Sequence, residues 1–162
     1  MIGLVLIVFV VPFIFVAFLG VPFNPVESAY YRLVPPENLN RTINNGQARH
    51  YTTFLRKAHE TEGDYTLPEI TRVPDGSNGA HFQQSFPEKF TRVEGLTFVH
   101  VNGSGYRLGP GESIRAEPGD VHYFLTTDTK RLFFQVRIEP GSQGFEKALY
   151  VLYGLENDGL TV

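Results

Sequence analysis

The first 23 residues, MIGLVLIVFVVPFIFVAFLGVPF, contain no charged or strongly polar side chain from Met1 to Phe23. Wound as a helix, such a run spans roughly 30–35 Å, close to the hydrocarbon thickness of a bilayer. Residues 1–23 are therefore predicted to form one transmembrane helix. The run exceeds the roughly 7–15-residue apolar region of a signal peptide. No Lys or Arg precedes it and no small-x-small cleavage site succeeds it, so an uncleaved single-pass anchor is expected. Pro12 should kink the helix, which a membrane tolerates. Arg32 and Arg41 lie C-terminal to the run while only the α-amino group precedes it, which favours a cytoplasmic location for residues 24–162. In an exported chain, Asn40-Arg41-Thr42 and Asn102-Gly103-Ser104 would read as glycosylation acceptors.

After Phe23 the apolar run breaks. Residues 24–48 read as a linker and lead-in: Asn24 to Glu37 is rich in proline and polar residues, and Asn44-Asn45-Gly46 has turn composition. Residues 49–162 read as the folded domain. HYTTFL (50–55) has strand composition, whereas Lys57 to Asp64 is polar and reads as a solvated loop, with His59 and Glu60 in it. From Tyr65 to Glu139, short runs rich in Phe, Tyr, Val, Thr and Ile alternate with turn residues. The runs are YTLPEITR, AHFQQSF, KFTRV, LTFVHV, YRLG, SIRAE, HYFLTT and RLFFQVRIE, and Asn102-Gly103 marks a hairpin. The close, even spacing predicts an antiparallel sandwich or barrel rather than a βαβ sheet. Beyond Pro140, Ser142 is an N-cap candidate, and Phe145, Leu149, Leu152 and Tyr153 recur at helical spacing up to Gly154.

Composition narrows the classes. The 162 residues suffice for one domain with an appendage, and 42% hydrophobic residues are ample for a core. A net charge of −3 leaves no basic footprint for a phosphate backbone, so no nucleic-acid partner is expected. The absence of cysteine excludes disulfides, thiolate metal sites and a cysteine nucleophile. Gly103-Ser-Gly105 and Gly109-Pro-Gly111 lack the strand-to-helix context of a phosphate loop and read as hairpin turns.

Two ordered motifs carry a resemblance. The first reads Gly76, four residues, His81-Phe-Gln83, four residues, Glu88, six residues, Gly95, its opening interval one residue shorter than in the motif it resembles. The second reads Gly111, five residues, Glu117-Pro-Gly119, two residues, His122. Together they resemble the paired motifs of the cupins over about residues 65–140, with Gln83 in place of the second histidine and Glu117 in place of a turn proline. The segment from Gly144 through Tyr153-Gly-Leu155 is similar to the tail of single-domain cupins. The resemblance implies an all-β antiparallel cupin barrel (double-stranded β-helix or jelly roll) closed by a short C-terminal helix.

The resemblance further implies a divalent metal, Fe, Mn, Ni or Zn, held by His81, Glu88 and His122, with Gln83 as a weak ligand or a contact to substrate. In a strand, His81 and Gln83 share one face. Cupin relatives that lose a ligand keep the barrel, so the alternative is a degenerate site in a non-catalytic binding module. Counting alternation from Glu88 also turns Phe90 and Arg92 inward, and an inward arginine calls for an anion, either Glu88 or a substrate carboxylate or phenolate. Arg92 is thus the candidate catalytic residue, unless a bulge reverses it. Gln135, Arg137 and His100 are further lining candidates, His100 with a structural role favoured. Phe82, Phe90, Tyr123, Phe124 and Phe133 predict a pocket for a small, largely apolar or aromatic molecule. The expected function is a membrane-anchored, metal-binding cupin of dioxygenase or isomerase type. Cupins also dimerise through their sheets, so a homodimer is implied.

Overall fold

Alternation is plainest in the strand Leu132–Ile138, whose residues are buried and half-buried in strict turn. One face of such a strand must meet a core and the other an outer surface. In a computed structural model, which describes residues 39–46, 49–72, 79–94, 97–125 and 132–160, nine strands and a helix obey this logic. The strands are β1 (Thr42–Asn45), β2 (His50–Arg56), β3 (Leu67–Arg72), β4 (Glu88–Glu94), β5 (Thr97–Val101), β6 (Ser104–Leu108), β7 (Ser113–Ala116), β8 (His122–Leu125) and β9 (Leu132–Ile138). The helix α1 spans Gln143–Asn157.

All named pairs are antiparallel. One sheet has the order β1-β2-β3-β9-β4-β7 and a smaller one the order β6-β5-β8. Inward residues of both sheets, among them Phe90, Val99, Phe124, Phe134 and Val136, form one core. The Asn102-Gly103 hairpin joins β5 to β6 with positive φ at both residues, as the sequence predicts.

A second core lies between β1, β2 and α1, where Phe54 stacks on Tyr150 at 5.4 Å between Leu39, Ile43 and Tyr153. Fully burying one such aromatic contributes about 2–3 kcal/mol. Ser142 caps α1 as predicted, its hydroxyl accepting from the amide of Phe145.

Four local expectations differ from the fold. Asn44 and Asn45 end strand β1 instead of forming a turn, because their backbones pair with Tyr51 and His50. Lys57–Asp64 is not a solvated loop throughout: a 3-10 turn spans Ala58–Thr61, and Lys57 is buried, donating to the Leu39 carbonyl above the Tyr150 ring. The run around His81 makes one bridge and is not a regular strand. Finally, α1 continues past Gly154, since Glu156 and Asn157 bond Asn45, Gly46 and Asn44 and extend the packing against β1. The anchor expected at Met1–Phe23 and the Asn24–Glu37 linker lie outside the described residues. Among those described, no helix is long and apolar enough to cross a membrane.

Candidate metal centre

Glu88 and His122 are each the first residue of a strand, which places them at one end of the barrel. Alternation with the buried Phe90 turns Glu88 inward, and alternation with Phe124 does the same for His122. His81 reaches the same point by a different device. Its backbone exchanges both hydrogen bonds with His122, at 3.1 and 2.8 Å, so the two side chains emerge side by side. Their rings lie 4.5 Å apart, and Nε2 of His122 is 3.1 Å from Oε2 of Glu88. One ligand atom from each of the three residues lies within 4.8 Å of the others.

Both imidazoles are oriented by the backbone. Nδ1 of His81 donates to the Gly79 carbonyl and Nδ1 of His122 to the Asp120 carbonyl, each at 2.9 Å. A carbonyl can only accept, so the Nδ1 proton is fixed and Nε2 becomes the atom offered to an ion. Burial alone would lower the pKa of His122, but its hydrogen bonds to Glu88 and to the Asp120 carbonyl outweigh that and hold it above the ordinary value. Two imidazole nitrogens and a carboxylate, with backbone bonds behind both rings, fit a divalent transition metal with open coordination positions.

The centre opens on a cavity of about 650 Å³ between the barrel and α1. His81, Gln83 and Glu88 line it, as do the predicted aromatics Phe82, Phe90 and Phe124. Gln83 also accepts from the Gly119 amide through its backbone carbonyl, tying the ligand-bearing segment to the turn before β8. Arg92 is not brought to this cavity. The bulge in β4 falls after it, so its strand register is as expected, but its Nη1 donates to the Leu108 carbonyl at 3.0 Å. Gln135 and Arg137 face outward, bonding Glu69 and Glu139, and His100 stacks on Tyr123 at 4.5 Å on the outer side of the small sheet. Phe133 and Tyr123 likewise do not line the cavity.

Sequence reasoning missed a polar group on the same wall. His50, at the start of β2, and Tyr153, on α1, meet with Nε2 and the phenolic oxygen 2.6 Å apart, and Thr52 lies 2.9 Å from that oxygen. His50 and Tyr153 line the cavity. Tyr153 is visible in the helical stripe and His50 in the first strand composition, but no short-range motif joins residues 103 apart in sequence.

No family model matches the sequence, and no curated protein matches it significantly. Solved structures do match. A predicted oxalate decarboxylase from Thermotoga maritima superposes with a TM-score of 0.56 at 18% identity, over 67% of this chain and 98% of that one. An RmlC-like cupin from Shewanella frigidimarina gives 0.55 at 16% identity, over 65% and 88%. A polyketide cyclase from Streptomyces resistomycificus gives 0.51 at 21% identity, over 63% and 69%. At these identities the agreement speaks for architecture alone, and it accords with the two sheets, the closing helix and the paired motifs. The chain has the cupin fold.

Proposed function

We propose that this chain binds a divalent metal through His81, Glu88 and His122 and acts on a small, largely apolar or aromatic organic molecule. The observation that carries the reading is the pair of Nδ1-to-carbonyl bonds, which aim both imidazoles at one point beside Glu88 on an apolar cavity wall. When bound, the metal supplies Lewis-acid polarisation of an oxygen donor or, as Fe(II), activation of dioxygen. The chain's own residues do the rest. Phe90, Phe124 and Val136 exclude water from the reacting end, and Gln83 offers an amide to an oxygen of the substrate. Isomerase or dioxygenase chemistry suits such a set, and solved proteins of this fold include a polyketide cyclase. The apolar run from Met1 to Phe23 supports placing this activity at a membrane.

A second reading, a barrel that holds a ligand without turnover, draws on the Glu88–His122 contact, since these two buried groups also satisfy one another. The deciding experiment is metal content after dialysis against Fe, Mn, Ni and Zn salts. Stoichiometric metal in the parent and its loss in His81→Ala support the first reading. A parent chain that stays metal-free against all four ions overturns it.

A further inference from the structure

A residue that lines a cavity and is also exposed stands at its mouth. Here those residues are Gly79, Ala80 and Phe82 on the lip beside the metal centre, and Gly144, Ala148 and Leu152 on α1. The three on α1 recur every four residues, so they form one stripe along the helix. None of the six carries a charge, and no Lys or Arg lines the cavity. Two of them are large: Phe82 is 50% exposed and Leu152 47%. A third large group joins them, because the antiparallel register of the His81–His122 bridge sets Val121 opposite Phe82, and Val121 is 46% exposed. Scattered exposed apolar residues are ordinary, whereas apolar residues gathered at the opening of a cavity mark an interaction surface.

The chain itself says what meets this surface. Met1–Phe23 has the length and apolarity to cross a bilayer, and residues 24–38 connect it to Leu39. Leu39 packs in the core between β1, β2 and α1, so the tether enters the domain beside the helix that carries one lip. The fifteen residues 24–38 reach about 50 Å when fully extended, against about 22 Å for the whole of α1. The mouth is therefore within reach of the membrane that holds the tether. A few apolar side chains bind a lipid surface only weakly on their own. A tether keeps them close to it, and two weak attachments together are stable where one is marginal. With no Lys or Arg lining the cavity, the fit is to neutral, zwitterionic lipid rather than to an anionic surface.

We infer that the cavity mouth, through Phe82, Leu152 and Val121, seats on the lipid surface to which the N-terminal run attaches the chain, so that the cavity is loaded from the membrane phase. This rests on the membrane placement proposed above, and it narrows the substrate to a molecule that dissolves in lipid.

The chain has no tryptophan, so a single introduced one is its sole indole emitter. Full chains carrying Phe82→Trp, Leu152→Trp or Val93→Trp are reconstituted in phosphatidylcholine vesicles with and without bromine on the acyl chains. Val93 is the control: it is 46% exposed, but it lies five residues along β4 from Glu88, about 17 Å from the metal end. Bromolipid should quench Phe82→Trp and Leu152→Trp several-fold more strongly than Val93→Trp. Adding Phe82→Asp to Leu152→Trp should bring its quenching down to the level of Val93→Trp, because a carboxylate is costly to place in lipid. Equal quenching at all three positions, or none at Phe82→Trp and Leu152→Trp, overturns the inference. Emission from Phe82→Trp that is shielded from water yet untouched by bromolipid overturns it too, since a protein surface then covers the mouth. Flotation of the vesicles separates the two readings. A chain that floats without the quenching contrast loses the docking alone, whereas a chain left behind loses the membrane placement with it.

Discussion

The barrel interior and the layer under α1 are both buried, but they treat polar groups differently. Among the described residues, the buried polar side chains of the barrel are Glu88 and His122, both at the metal centre. Under the helix they are Asn45, His50, Thr52, Lys57, Thr66 and Glu146. Those groups fasten elements together. Glu146 accepts from the Ala58 amide at 2.6 Å and the Thr66 hydroxyl at 2.8 Å, Lys57 holds the Leu39 carbonyl, and the Tyr150 hydroxyl donates to the Asn40 carbonyl. The barrel needs no such fastening, because its ladders already satisfy the backbone. A polar group in the barrel is therefore a candidate for chemistry, whereas one under the helix is first a candidate for architecture.

The sharpest way to break this contrast is to delete one group from each region. His81→Ala should lower metal affinity by more than about 100-fold, beyond what losing an outer partner of a ligand costs. It should shift the urea midpoint little, because the bridge to His122 is made by backbone atoms. Glu146→Ala should do the reverse. It strands two buried donors and should cost about 3 kcal/mol in urea unfolding, with metal stoichiometry per folded chain unchanged. A large stability loss in the first variant, or metal loss in the second, would erase the distinction.

Smaller effects sharpen it. Gln83→His should tighten metal binding by about tenfold, imidazole being a better ligand than an amide oxygen for these ions. Equilibrium dialysis of parent and variant reads the ratio. The least effect concerns pH. Because the folded-state pKa of His122 is raised, its pairing with Glu88 stabilises the metal-free chain fully below about pH 6.5, the unfolded value, and is lost as pH rises through the folded value. Metal binding must expel that proton, so metal affinity should rise over the same interval while metal-free stability falls. Paired titrations that move in the same direction would refute the assignment of Nε2.

Much of the barrel is legible in the chain because strand alternation and turn chemistry are local. The Asn102-Gly103 hairpin, the Ser142 cap and the inward Glu88 and Phe90 each depend on a few neighbouring residues. The family motif supplies the metal triad, which local pattern alone would leave scattered. What escapes is tertiary. Lys57 reads as solvated because its burial comes from Leu39 and Tyr150, and α1 outruns Gly154 because its last turn is held by β1. Alternation correctly orients Arg92 toward the inner side, but only the fold shows that its guanidinium reaches Leu108 rather than the cavity.

The His81–His122 bridge has a consequence for how such a site changes over evolutionary time. It uses only amide and carbonyl groups, as does the Gly119–Gln83 bond beside it, and together they tie the 81–83 segment to the first residue of the edge strand β8 and to the turn before it. The attachment of this segment to the start of β8 is thus independent of which side chains stand at positions 81, 83 and 122. Residues can be exchanged there one at a time without reopening the seam. A histidine at position 83 could give way to the glutamine now present while the barrel kept its shape, so this scaffold can drift between ligand sets, and between chemistries, at little structural cost.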